Sequence, residues 1–180
     1  IYHQPHSDSA RAVYKIKYFD MPDIGVDIGE IMGKMMKEAR FTDDIDVILP
    51  VPLAKERKRQ RGFNQSEMIA QGISYATGIR VVTGAVSRVS FHGSQTKRDR
   101  QGRTENVENA FRLKNGKLVT GKHVLIVDDI VTTGATIVAM AKQITQLPGV
   151  RVSVAAIGFA GERIYANSDD KDEEDNIFSQ

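Results

Sequence analysis

Short apolar runs alternate along this chain with stretches whose apolar positions recur every three or four residues, a pattern that predicts an α/β sheet. Residues 9–19 and 24–39 carry the helical spacing; in the second, Ile24, Ile28, Ile31, Met35 and Met36 form the recurring set. "DVILPVP" (46–52) reads as a buried strand ended by Pro50 and Pro52. Asn64 stands where it can cap a helix over 65–76, with Gly78 just past the end. β-Branched residues mark strands near 80–90, and "AFRL" (110–113) reads as another. "HVLIVDD" (123–129) is the clearest strand; a helix over 135–146 follows, closed by Pro148 and Gly149, and "VRVSVAAIGFA" (150–160) is the last strand.

Composition adds limits. With 180 residues, 41% hydrophobic and 27% charged, the chain fits one soluble domain, here 1–165, followed by an acidic tail, 166–180. No apolar run approaches the roughly 18 residues that span a bilayer, and no signal-peptide pattern opens the chain. The absence of cysteine excludes a disulfide framework, a thiolate nucleophile and a cysteine zinc site, and the expected location is cytoplasmic. Net charge is +2, yet the tail holds six acids and one lysine, so the rest is basic. The positive charge gathers in "KERKRQR" (55–61) and "KRDRQGR" (97–103), which suits phosphates of any kind, whether on nucleotides or nucleic acid. The latter run lies in "HGSQTKRDRQGRTEN" (92–106), which has no apolar residue and fits a mobile flap or a solvated surface loop.

The chemistry concentrates in "VLIVDDIVTTGATI" (124–137). In an open parallel sheet, ligands bind beyond the carboxyl ends of strands, where the following helices point their N-termini. Asp128 and Asp129 sit at such an end. The loop Thr132, Thr133, Gly134, Ala135, Thr136 then opens a helix, offering backbone N–H groups, hydroxyls and a positive dipole end that suit a phosphate dianion. The carboxylates would repel that phosphate; they suit vicinal hydroxyls, or a magnesium ion travelling with a polyphosphate. A phosphorylated sugar diol carrying a magnesium-bound pyrophosphate has all these parts. Two rival readings account for less: a strand ending in surface acids leaves the threonine loop unexplained, and a phospho-accepting acidic pocket would need a second acidic site and a downstream lysine. "GKLVTGKH" (116–123) is not a P-loop, since His123 stands at the magnesium-ligand position and a strand follows where one should precede. "NQS" (64–66) matches a glycosylation sequon, which has no meaning without secretion.

The strand, Asp-Asp and Thr-Thr-Gly-x-Thr of 124–137 resemble the phosphoribosyl pyrophosphate motif of type I phosphoribosyltransferases. "VILPVPLAKERKRQRGFNQSEMIA" (47–70) is similar to a segment of the ComF/GntX group, phosphoribosyltransferase-like proteins linked to competence and DNA uptake. Gln95, Arg103, Asn106 and Phe111, and "KIKYFD" (15–20), extend that similarity over about residues 13–160. Many members carry an N-terminal four-cysteine zinc module; this sequence holds no cysteine, so the module is either cut away or never existed.

The resemblance implies a type I phosphoribosyltransferase fold, an open and mainly parallel sheet flanked by helices, with a small hood (residues 1–40 and 159–165) and a flexible loop. It implies that Asp128 and Asp129 hold the ribose 2- and 3-hydroxyls, and Mg2+ directly or through water, while Thr132 to Thr136 hold the 5-phosphate. Leu53, Ala54, Lys55 and Arg61 are the expected pyrophosphate contacts, and Lys97, Arg98, Arg100 and Arg103 the cations for the leaving group. The implied reaction displaces pyrophosphate by an unidentified nitrogen acceptor, with His92 and His123 incidental. The alternative is a non-catalytic sensor of phosphoribosyl pyrophosphate, or a handler of single-stranded DNA. Only Phe63 and Phe91 lie near the basic runs to stack on bases. Competence proteins are possible partners, and a homo-oligomer stays open.

Overall fold

A computed structural model describes residues 22–89 and 110–159. The expected helix over 9–19, the hood pieces 1–21 and 160–165, the flap 92–106 and the acidic tail lie outside the described residues.

Helix α1 (Pro22–Glu38) begins on a proline, whose missing N–H costs nothing at a first helical position. Strand β1 (Val47–Pro50) follows, then α2 (Lys55–Arg61), α3 (Gln65–Thr77), β2 (Arg80–Val81), β3 (Val86–Arg88) and β4 (Phe111–Leu113). A 3₁₀ turn, Gly116–Leu118, leads into β5 (His123–Val131), α4 (Ala135–Thr145) and β6 (Arg151–Phe159). Four strands form one parallel sheet in the order β2-β1-β5-β6, and β3 pairs with β4 as a separate antiparallel ribbon. Each parallel crossover carries a helix, as parallel pairing requires. The turn at 116–118 precedes β5, confirming that this stretch is no P-loop.

β1 and β5 are neighbours, with Leu49 opposite Ile126 and Pro50 opposite Val127. Their side chains feed two cores, one on each sheet face. Val47, Leu49, Val124 and Ile126 join Met140 and Ile144 of α4, while Ile48, Leu125 and Val127 join Ile69 and Ile73 of α3. This alternation explains why both strands read as unbroken apolar runs: a parallel strand is buried on both faces.

Of the recurring apolar set of α1, Ile24, Ile28 and Met36 pack against the core that includes Ile69 and Ile73 of α3, but its closest contact with α3 is made by glycine. The residues it buries are Gly25, Gly29 and Gly33. A methyl group on Gly25 would come within 2.8 Å of Met68 Cβ, and one on Gly33 within 2.8 Å of Ala76 Cβ. A methyl on Gly29 would strike the Ile69 carbonyl, and one on Gly72 the Val26 carbonyl. The two backbones touch, and Ile31 and Met35 face outward, 59% and 58% exposed.

At the opposite end of β5 from its acids, His123 is buried between Asp44 and Ser153. Its Nε2 lies 2.9 Å from Ser153 Oγ and its Nδ1 3.1 Å from the Asp44 carbonyl. The His123 N–H donates to Asp46 Oδ2 at 2.7 Å, so this histidine fastens a strand end far from the acids. No helix among the described residues is long and apolar enough to cross a membrane.

Candidate functional site

Three chain segments meet where β1 and β5 end. The Val51 N–H donates to the Val127 carbonyl at 2.9 Å, carrying β1–β5 pairing one residue past β1. The Asn64 side chain then does two jobs. Its Nδ2 donates to the Val51 carbonyl at 2.9 Å, and its Oδ1 accepts the Ser66 N–H at 3.2 Å, capping α3. The approach to this cap needs Gly62, which ends α2 with φ 76°, a left-handed conformation that glycine adopts without strain. Lys58 Nζ pairs with Glu67 at 2.9 Å and ties α2 to α3, a half-exposed pair that contributes little alone.

Ser66, buried in the first turn of α3, donates its hydroxyl to Asp128 Oδ1 at 3.0 Å. The same oxygen accepts the Asp129 N–H at 2.9 Å, and Asp129 Oδ1 accepts the Ile130 N–H at 2.7 Å. Asp128 is 9% exposed. Burial first, and the neighbouring Asp129 charge second, raise its pKa to about 6 against the pull of the Asp129 backbone N–H and the Ser66 hydroxyl.

Facing these acids is a cleft of about 250 Å³ whose wall includes Leu53, Arg57, Arg61, Asn64, Ser66 and Arg88. The acids, Ile130, Thr132 and Thr136 complete the wall on the β5–α4 side. Arg88 comes from the β3–β4 ribbon, half-buried with its guanidinium 5.4 Å from the Phe111 ring centre. Burial and then the charge of Arg57 push its pKa down, and Asp128 opposes them. A guanidinium stays charged regardless. Arg57 and Arg88 therefore repel across a space where an anion would relieve both.

On the other side, Gly134 caps α4 with φ 76°. The Ala135 N–H leans on Thr133 Oγ1 at 3.4 Å, and the first-turn amides of an α-helix have no intrahelical acceptor. The cleft thus gathers two carboxylates, two threonines from the loop and helix start after β5, and three arginines.

The structure brings Asp128, Asp129, Thr132, Thr136, Leu53 and Arg61 to one cleft. Thr133, Gly134 and Ala135 belong to the same loop without forming its wall. Ala54 and Lys55 stay off the wall: Lys55 is the first residue of α2, and a helix that turns Arg57 and Arg61 to one side, four residues apart, turns Lys55 away. Lys97, Arg98, Arg100 and Arg103 lie outside the described residues. Arg57, Arg88, Gln65 and Ser66 were not anticipated as wall residues. The signal for Arg57 was present, since it stands four residues before Arg61.

A family model described as phosphoribosyl transferase domain matches residues 17–173. The DNA utilization protein YhgH of Escherichia coli O6:H1 is 33% identical over 133 residues, 72% of this chain and 58% of that protein. Competence protein F of Haemophilus influenzae is 29% identical over 67% of this chain and 54% of its own length. Competence protein ComFC of Bacillus subtilis is 31% identical over 54% of this chain and 37% of its own length. The chain thus spans little more than half the length of the first of these relatives. Among solved structures, the glutamine phosphoribosylpyrophosphate amidotransferase of B. subtilis superposes with a TM-score of 0.54 at 21% identity, covering 81% of this chain and 30% of that one. The allosteric regulatory enzyme of purine biosynthesis gives 0.51 at 20% identity, over 79% of this chain and 30% of its own. These two likenesses bear on the fold.

Proposed function

This chain belongs to the phosphoribosyl transferase domain family and, within it, to the ComF group; from that premise we propose that the cleft binds phosphoribosyl pyrophosphate with Mg2+ and transfers the phosphoribosyl group to a nitrogen acceptor. The observation that supports this reading is the company these groups keep in one cleft: paired carboxylates, threonines of the loop that opens α4, and three arginines. The ligand carries a 5-phosphate, a ribose diol and a pyrophosphate, one partner for each kind of group.

Asp128 and Asp129 accept from the 2- and 3-hydroxyls, and the 132–136 loop donates to the 5-phosphate. Arg57, Arg61 and Arg88, with the Leu53 backbone, meet the pyrophosphate, and Lys97, Arg98, Arg100 and Arg103 are further cations for it. In the reaction the bond from the anomeric carbon to the pyrophosphate oxygen breaks, and a bond from that carbon to the acceptor nitrogen forms. The sugar passes through an oxocarbenium-like state, so the chain's part is to place the ring and balance charge on the departing oxygens.

Two adjacent carboxylates suit Mg2+, which is commonly held by one or two carboxylates and completed by substrate oxygens. Among the described residues no group of three or more His, Asp or Glu could hold a metal unaided, as a metal arriving with the ligand would not require. Bound there, Mg2+ would neutralise charge on the diphosphate.

The relatives' names, DNA utilization protein and competence protein, favour a second reading: a non-turning-over sensor, or a protein that handles single-stranded DNA through the basic α2. Thermal melting with phosphoribosyl pyrophosphate and Mg2+ tests the site, with a clear upward shift expected for the native chain and none for Asp128→Asn with Asp129→Asn. Pyrophosphate release across a panel of nucleobases and amines separates enzyme from sensor. DNA binding that weakens steeply with salt yet survives the double substitution would move the assignment to the DNA role.

A further inference from the structure

The head of α3 sets three polar residues in a row against the cleft, Asn64, Gln65 and Ser66, and all three are buried. Two of the side chains are engaged. Asn64 bonds the Val51 carbonyl and the Ser66 N–H, and Ser66 bonds Asp128. Gln65 is only 4% exposed, and its side chain makes no hydrogen bond among the described residues. No fully enclosed side-chain polar atom among the described residues lacks a partner, so the Gln65 carboxamide keeps an opening. The space it opens on is the cleft that it lines. Burying an amide without a partner costs free energy, which a matching ligand group returns.

We infer that Gln65 is a specificity-determining residue: its amide nitrogen donates to a hydroxyl oxygen of the ligand's diol, so that the cleft selects a ribosyl over a deoxyribosyl group. The inference rests on the reading of Asp128 and Asp129 as acceptors for that diol.

The chemistry of the wall leads there. An ionised carboxylate only accepts, so a diol that gives its protons to Asp128 and Asp129 still has oxygen lone pairs to fill. The neutral donors on either side of Gln65 in the sequence are already used, the Asn64 amide on Val51 and the Ser66 hydroxyl on Asp128. Gln65 holds two N–H donors that neither duty claims. The anionic parts of the ligand have better partners. A guanidinium gives phosphate charge-assisted bonds roughly twice as strong as a neutral amide can, and Arg57, Arg61 and Arg88 share the wall. A neutral amide in that company suits an uncharged group. A site that hydrogen-bonds a hydroxyl also rejects the analogue without it, because its own buried polar group is then left unpaired.

The test uses the full chain at pH 7.5 without divalent cation, in calorimetric titrations with ribose 5-phosphate, 2-deoxyribose 5-phosphate and 3-deoxyribose 5-phosphate. The native chain should bind ribose 5-phosphate more tightly than either deoxy sugar, which tests the diol reading by itself. Gln65→Leu, close in size but without polar atoms, should reduce the preference over one deoxy sugar by about five- to tenfold. Its preference over the other, and its affinity for inorganic pyrophosphate, should stay within about twofold of the native values. Gln65→Glu accepts but cannot donate, and should lose the same preference; the three sugars carry equal charge, so the ratio cancels the added repulsion. This second variant decides by the same ratios where the leucine variant does not fold. Both preferences intact in the variants, or equal weakening of all three sugars, would overturn the inference and leave the diol reading standing. A native chain that binds the three sugars alike would overturn both.

Discussion

Ser66 and Asp128 stand 62 positions apart in the chain and 3.0 Å apart in space, hydroxyl to carboxylate. The bond joins the first turn of α3 to the end of β5 and presses on the acid's charged form. Ser66→Ala removes a donor that steadies the ionised carboxylate, so the pKa of Asp128 should climb further above its ordinary range. The stability cost should be about 1 kcal/mol. Carboxyl-carbon NMR titration of the variant checks the direction, and a fall in pKa would contradict the role given to Ser66.

Asn64 serves two partners, so its replacements should separate them. Asn64→Ala loses both the cap and the donor to the Val51 carbonyl, and should cost about 2–3 kcal/mol in denaturant unfolding. Asn64→Asp keeps a cap acceptor but has no amide for Val51, and should recover only part of that loss.

Asp128 also makes stability depend on pH. Its folded pKa of about 6 lies above the ordinary 3.8, so between those values the native state holds a proton that the unfolded chain has released. Stability therefore falls as pH rises through this window, and the penalty is complete above pH 6. Asp128→Asn removes it. The variant should be more stable than the parent at pH 7.5, by on the order of 2–3 kcal/mol, with the advantage shrinking toward zero near pH 4. Melting at pH 4, 5, 6 and 7.5 tests this, and a pH-independent difference would refute it.

Arg88 reaches the cleft from a ribbon remote in sequence from the other arginines. Arg88→Gln should weaken binding of inorganic pyrophosphate several-fold and make it less sensitive to salt, because one charge-assisted contact is lost. Isothermal calorimetry at two salt concentrations measures both. Unchanged affinity would remove Arg88 from the anion's contacts.

How much of this could be read in the letters depends on what each element uses to hold itself. β1 and the first part of β5 were legible because burial on both faces leaves unbroken apolar runs, whereas the edge strand β6, largely part-exposed, was legible from its alternating valines. The acids and the threonine loop were legible because a strand ending in charge is conspicuous. α2 was not read as a helix: it buries no residue, so it has no apolar period, and without its turn Lys55 and Arg57 could not be told apart. Ser66 looked like half of an unused sequon, since its partner lies far away in the chain. α1 was recognised as a helix by its isoleucines and methionines, of which Ile24, Ile28 and Met36 do pack against the core, but the positions it buries most fully are glycines, which no scale of hydrophobicity registers.

That glycine surface should tolerate almost nothing. Gly29→Ala or Gly72→Ala drives a methyl into the opposite backbone, and should lower stability by about 2–4 kcal/mol, despite the better helix propensity of alanine. Gly62→Ala, which meets open space and is strained only by its φ of 76°, should cost about 1 kcal/mol. Comparative unfolding of the three variants decides the ranking.

Bare backbone against bare backbone leaves no cushion of rotamers to absorb a displacement. Helices α1 and α3 must travel together, as one splint, and the far end of that splint carries the serine that steadies Asp128. A load applied to the outer side of α1 is thus delivered undamped to the acid pair, on the other side of the sheet's rim.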